Sequence, residues 1–181
     1  MFRCNVCKSN AINVLDTDMF QIFDIDYSFE IDKKIIENNY KEMIKSSHPD
    51  VNENIDIEVP THVIRNYKLL NDPFERALLI ISKKMNTSRE RLIDEIDSLP
   101  VNLKVMDDVF DKDMKIKEIE TGDMKKYNLT SIIESNNAKI NQYIESLKVE
   151  FRKESLEVVK ILKILKELRI YQKLNVKLSG I

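Results

Sequence analysis

Six residues constrain this chain more than any others: its two glycines and four prolines among 181 residues. Tight turns draw on glycine because it alone adopts positive φ without strain, and a sheet of several strands needs many such turns. A chain this poor in breakers is predicted to be all-α, built from long helices with few interruptions. The breakers stand at Pro49, Pro60, Pro73, Pro100, Gly122 and Gly180, and most of the predicted helix boundaries fall beside them.

The charge balance narrows the function. Twenty-nine basic and 31 acidic residues leave a net charge of −2, which gives no overall basic surplus for nucleic acid. No apolar run is long enough to span a bilayer, and the opening "MFRCNVCKSN" has no apolar signal core. With only two glycines there is no phosphate-cradling loop, and no nucleophile–base set stands out, so the chain reads as a non-enzyme. The two cysteines, Cys4 and Cys7, cannot make a disulfide framework and fit a reducing compartment.

Read along the chain, residues 1–14 form a short head with the cysteine pair. Residues 16–25, "DTDMFQIFDI", give a short helix. Asp32 is placed to cap "KKIIENNYKEMIKS", in which Ile36, Tyr40, Met43 and Ile44 share a face while Lys34, Lys41 and Lys45 lie opposite. A polar loop from Pro49 to about Pro60 separates this helix from a second, about Thr61 to Asn71, with Ile64, Tyr67 and Leu70 facing inward. Pro73 starts another helix, "PFERALLIISKK". Residues 15–84 thus form one unit around an antiparallel helical hairpin, and 85–99 read as a hinge. Residues 100–181 then form a three-helix bundle: 100–120 from Pro100 to a stop at Gly122, 124–151, and 155–178. In the last, Leu156, Val159, Leu162 or Ile161, Leu165, Leu168 and Tyr171 make the apolar face.

His48, Pro49 and Asp50 stand at the exit of the lysine-faced helix, in "KEMIKSSHPDVNEN". Alone, the tripeptide reads as a helix stop, because proline disfavours helical geometry in the residue before it. Set between two amphipathic helices and followed by "NYKLLNDPFER", it resembles the J-domain of the Hsp40 co-chaperones, whose hallmark is a His-Pro-Asp loop between helices II and III. The resemblance implies that Lys41 and Lys45 meet an acidic surface of an Hsp70 ATPase domain, and that attraction steers the encounter. It implies that Asp50 pairs with an Hsp70 arginine, that Pro49 sets the direction of the loop, and that His48 packs beside it. None of the three does chemistry; the ATP is cleaved by Hsp70. The family often carries a basic residue after the aspartate, where this chain has Val51. Tyr40, Tyr67, Leu70 and Phe74 read as core, Asn66 and Arg76 as structural, and His62 as a bystander near a helix start.

A second resemblance is narrower. An N-terminal J-domain with no Gly/Phe-rich linker, followed by a three-helix bundle, is similar to the HscB/Hsc20/Jac1 family of iron–sulfur cluster co-chaperones. "MFQIFDIDYSFEID" looks like the family's opening "YFxLFxLxxxFxLD" pattern, and "SLEVVKILKILKEL" is similar to its last bundle helix. The resemblance covers about residues 16–178. It implies that the bundle binds the scaffold protein of the IscU/Isu type through an apolar patch, here Val105, Met106 and Val109 with Ile164 opposite. Leu103 and Phe110 are the neighbours that take over if the register shifts by a residue, and Asp107, Asp108, Asp111 and Asp113 form an acidic rim. The competing reading of each apolar residue is bundle core. Other readings of the whole chain are a general J-domain co-chaperone with another client, and a non-catalytic helical adaptor.

"RCNVCK" has the spacing of zinc ligands, but Cys4 and Cys7 are half of a tetrahedral site. Animal and some other eukaryotic members of the family have two such pairs ahead of the J-domain. The single pair here reads as a relic, a reactive dithiol, or half of a metal site completed by His62 or a second molecule. Zinc is the one candidate cofactor. The resemblance to eukaryotic members implies a mitochondrion or a related organelle, with the cytoplasm as the alternative.

Overall fold

The computed structural model describes residues 2–3, 10–12, 17–47, 58–121 and 128–180. Eight helices account for most of the described residues, as the scarcity of glycine and proline predicts. The exception is a two-stranded antiparallel ribbon, β1 (Phe2–Arg3) with β2 (Asn10–Ile12), pairing Phe2 with Ile12 and Arg3 with Asn10. Cys4, Cys7, His48, Pro49, Asp50 and Val51 lie outside the described residues, as does Gly122. No described helix is long and apolar enough to cross a membrane.

The chain divides into two compact units, Met1–Ile80 and Ile81–Ile181. In the first, α1 (Met19–Ile22) starts where the Asp18 carboxylate accepts from the Phe20 N–H at 2.9 Å. It is closed by Asp24 at φ 48°, a left-handed position that aspartate tolerates better than most residues. Helix α2 (Lys33–Ser46) begins as expected at Asp32, whose carboxylate accepts from the Lys34 N–H at 2.8 Å. Helix α3 (Glu58–Asn71) packs on α2 with the Tyr40 and Tyr67 rings stacked, centroids 4.0 Å apart.

Two expectations for α3 need correction. The helix starts at Glu58 and takes in Pro60, which the first turn admits because its N–H has no helical partner there. Ile64 is 37% exposed; Val63, Asn66 and Leu70 are the buried residues, with Val63 taking the inner position one residue earlier.

Helix α4 (Pro73–Met85) starts at the expected proline and ends at Asn86, φ 49°, beyond which the Thr87 N–H reaches back to the Ser82 carbonyl at 3.0 Å. The division between the units falls within this helix. Arg76 is buried in the first unit. Its Nε donates to the Phe29 carbonyl at 2.7 Å, a second guanidinium nitrogen donates to the Leu70 carbonyl, and the group lies 5.0 Å over the Phe29 ring.

In the second unit, the segment expected to be a hinge holds α5 (Arg89–Ser98), capped by Ser88, whose hydroxyl accepts from the Arg91 N–H at 3.2 Å. Leu92 and Ile96 of α5 are buried. They are only two apolar anchors in a charged segment, but they fall four residues apart on one face, which is enough to seat a short helix. Helix α6 (Leu103–Glu120) is capped by Asn102 rather than begun at Pro100, because the Asn102 side chain accepts from the Lys104 N–H at 3.0 Å. Helices α7 (Leu129–Phe151) and α8 (Val158–Leu178) share the largest interface, and α5 and α6 both pack on α8.

The bundle is therefore four helices, α5, α6 and α7 packed on α8, whose Ile161, Leu162, Leu165, Leu168, Tyr171, Leu174 and Leu178 are all buried. Val159, expected in that row, is 60% exposed, because the buried row begins two residues later at Ile161. Two junctions outside the apolar row pin α8. Asp97 of α5 accepts from Arg169 at 2.9 Å, and Lys166 donates to the Asp97 carbonyl at 3.0 Å. Buried Asn136 of α7 donates to the Tyr171 carbonyl at 3.0 Å and to the Asn175 side chain at 2.5 Å, fixing the register of α7 on α8.

Candidate functional site

Two surfaces carry the residues singled out above, one in each unit. The first is the outer face of α2. Lys33, Lys34, Lys41 and Lys45 are all exposed, whereas Ile36, Tyr40, Met43 and Ile44 are buried or half-buried, so the helix is split into the two faces its spacing predicts. Lys41 donates to Glu37 at 2.6 Å, a bond that pushes its ammonium pKa up. An exposed pair like this adds little stability and leaves both groups at the surface for a partner.

The helix ends in a defined way. The Ser47 N–H donates to the Met43 carbonyl at 2.9 Å and its hydroxyl to the Ile44 carbonyl at 3.2 Å, with Ser47 buried. α2 thus stops immediately before His48, and α3 begins at Glu58. His48, Pro49 and Asp50 fall between the two helices in sequence and lie outside the described residues.

The second surface is on α6, where apolar residues fall on two opposite faces. One row, Val105, Val109 and Ile116, faces the bundle: Val105 and Ile116 are buried, and Val109 packs against the cluster of Ile116, Ile132, Leu174 and Leu178. The other row, Leu103, Met106, Phe110 and Met114, faces out, with exposures of 78, 48, 63 and 46%. Steps of three, four and four residues put these four side chains on one stripe about three turns long.

Of the expected patch, then, Met106 is exposed. Val105 and Val109 belong to the core row, and Ile164 on α8 is half-buried. Leu103 and Phe110, the neighbours in register, take the exposed positions.

The acids of α6 divide in the same way. Asp107 and Asp111 are exposed, Asp111 bonded to Lys115 one turn on. Asp113 accepts from Lys117 at 2.9 Å and also from Lys177 of α8. Asp108 faces α8: it accepts from Lys112 at 2.7 Å and from the Tyr171 hydroxyl at 2.8 Å. Burial alone would raise the Asp108 carboxyl pKa, but the bonds from Lys112 and Tyr171 outweigh it and hold the group below the usual carboxylate range. Lys112 is itself buried, its ammonium 5.1 Å from the centroid of the Tyr171 ring. Burial first, then the bond to Asp108, raises the Tyr171 hydroxyl pKa well above its ordinary value. This knot ties α6 to α8 and fixes which face of α6 looks outward. Sequence reading missed it, because a lysine in "DKDMKIK" has the pattern of a solvated face.

Cys4 and Cys7, the expected zinc ligands, cannot be placed, since they lie outside the described residues. Among the described residues, no group of three or more His, Cys, Asp or Glu side chains is arranged to hold a metal ion.

No family model matches the chain. A co-chaperone protein HscB homolog from Haemophilus influenzae is 32% identical over 78 residues, covering 39% of this chain and 44% of that protein. The match therefore spans less than half the length of that relative. Among solved structures, human co-chaperone protein HscB superposes with a TM-score of 0.71 over 98% of this chain and 92% of its own, at 16% identity. HscB from Vibrio cholerae gives 0.70 over 91% and 96%, at 13% identity. At such low identity these two likenesses speak for the fold, a helical N-terminal unit followed by a helical bundle. The chain is thus similar in sequence to an HscB homolog over the matched segment, and in fold to two HscB structures over nearly its whole length.

Proposed function

We propose that the chain is a co-chaperone that stimulates an Hsp70 ATPase through its His-Pro-Asp connection and delivers an iron–sulfur scaffold protein of the IscU/Isu type to it. The observation that carries the reading is the end of α2: the helix is closed by Ser47, the residue that precedes His48 in sequence, and the next described helix, α3, packs on α2. The exposed Lys41 and Lys45 on the outer face of α2 supply the charge that an acidic Hsp70 surface would meet, and Asp50 the acid for an Hsp70 arginine. The scaffold docks on the outward stripe of α6, with Phe110 and Met106 at its centre and Asp107 beside it. Val105, Val109 and Ile164 support that helix from beneath. The chain itself hydrolyses nothing. The setting is a mitochondrion or related organelle, and the Cys4/Cys7 pair is a relic or a weak zinc site.

The test is a steady-state ATPase assay of Hsp70 with the chain and the scaffold added singly and together. The two together should stimulate hydrolysis by more than the sum of their separate effects. Stimulation by the chain alone, with no added effect of the scaffold, would favour a J-protein with another client. No stimulation under any condition would remove the co-chaperone reading.

A further inference from the structure

Two of the four side chains on the outward stripe of α6 are methionines, and they stand symmetrically about its aromatic. Met106 lies four residues before Phe110 and Met114 four residues after it, one helical turn on either side, at 48 and 46% exposure. Both thioethers therefore flank the aromatic ring of the stripe, itself 63% exposed.

Methionine suits a docking face because it is apolar, unbranched and soft enough to fit a partner. The same sulfur, when exposed, is open to peroxide. The core of the second unit is filled with leucine, isoleucine and valine, and the apolar positions of α8 contain no methionine. Within the described part of this unit, the only methionines besides this pair is Met85, at the end of α4 and 47% exposed.

We infer that Met106 and Met114 are a paired oxidation site that switches the α6 stripe off, so that peroxide lowers the affinity of the chain for its scaffold partner. The inference rests on the scaffold reading of the stripe. In the reaction, a lone pair of the thioether sulfur attacks one oxygen of hydrogen peroxide. The O–O bond breaks and a sulfur–oxygen bond forms. The sulfur loses two electrons, the peroxide gains them, and the second oxygen leaves as water after proton transfer. The sulfoxide is a strong acceptor where the free protein can hydrate it. Docking would strip that water from two positions beside Phe110 without supplying donors, and a buried acceptor left unpaired is costly. Reduction by methionine sulfoxide reductase reverses the change.

The experiment treats the full chain with hydrogen peroxide, removes the peroxide with catalase, and then restores the thiols with a dithiol, which leaves sulfoxides in place. Binding to untreated scaffold protein is measured before treatment, after it, and after methionine sulfoxide reductase. Peptide mass spectrometry reports the state of each methionine. Affinity should fall about tenfold or more on oxidation and return on reduction. The treated-to-untreated ratio should move close to one in Met106→Leu/Met114→Leu, whatever the starting affinity of that variant, and should be unchanged in Met85→Leu. The switch is overturned if both methionines are oxidised without loss of affinity, or if the loss persists in the double variant. If the untreated chain does not bind the scaffold at all, the docking reading of the stripe fails, and the switch fails with it.

Discussion

Two neighbouring residues of α6 should respond to truncation in opposite ways. Phe110 is 63% exposed, so Phe110→Ala should change unfolding free energy by no more than about 0.5 kcal/mol. Its effect should appear in scaffold affinity, as a loss of about tenfold or more. Val105 is 5% exposed, and Val105→Ala should cost about 1–3 kcal/mol of stability while sparing the outward stripe. Chemical denaturation and a binding titration on the two variants separate the roles. The acid beneath the stripe gives a pH test. Asp108 is held below the usual carboxylate range in the fold, so its contribution is full above the unfolded pKa of about 4 and is lost as pH falls through the lower folded value. The C-terminal unit should therefore weaken in acid below about pH 4, and Asp108→Asn should flatten that part of the profile. At neutral pH the same variant leaves the buried Lys112 ammonium without its carboxylate. A loss of about 2 kcal/mol is expected, below the roughly 3–5 kcal/mol for a fully buried pair because the Asp108 side chain is 35% exposed. Side-chain detail of this kind was the least legible part of the sequence. Leu103, Met106, Phe110 and Met114 make one apolar row of α6 and Val105, Val109 and Ile116 another, so spacing alone does not say which row meets the bundle. Only the positions of α7 and α8 decide it, and they bury Val105 and Ile116.

At the scale of elements, capping chemistry was legible. Asp32 and Pro73 begin their helices as local rules require, because an N-cap carboxylate or a first-turn proline acts within four residues and needs no tertiary partner. Tyr40 and Tyr67 stack as their inner-face spacing implies. The element that escaped was α5. Its ten residues, "RERLIDEIDS", are mostly charged and look like a linker; what holds the helix is the burial of Leu92 and Ile96 and the Asp97 junction with Arg169 and Lys166, contacts some 70 residues away in sequence. A true linker would tolerate truncation of these side chains. As part of the bundle, Ile96→Ala should destabilise the C-terminal unit by about 2–4 kcal/mol, read as an earlier transition in thermal or denaturant unfolding of that unit. An unchanged midpoint would return the segment to the status of a tether.

At the scale of the whole molecule, the scarcity of glycine and proline was enough for a chain that is helical over most of its described residues, and the His-Pro-Asp context was enough to point to the HscB proteins whose fold it resembles. The partition of the bundle into four helices was not, because it depends on long-range packing around α8. The two surfaces should also separate by function. Replacing Lys41 and Lys45 with alanine should slow association with Hsp70 and reduce the dependence of that rate on salt, while scaffold affinity stays unchanged. The central claim is that the connection after α2 acts on a nucleotide-driven chaperone. Single-turnover hydrolysis of ATP by Hsp70, with wild-type chain and with His48→Gln at equal concentration, tests it most directly. The wild type should accelerate hydrolysis and His48→Gln should leave it at the basal rate, with both proteins equally folded and equally able to bind scaffold. Equal acceleration by the two, or none by either, would contradict the account.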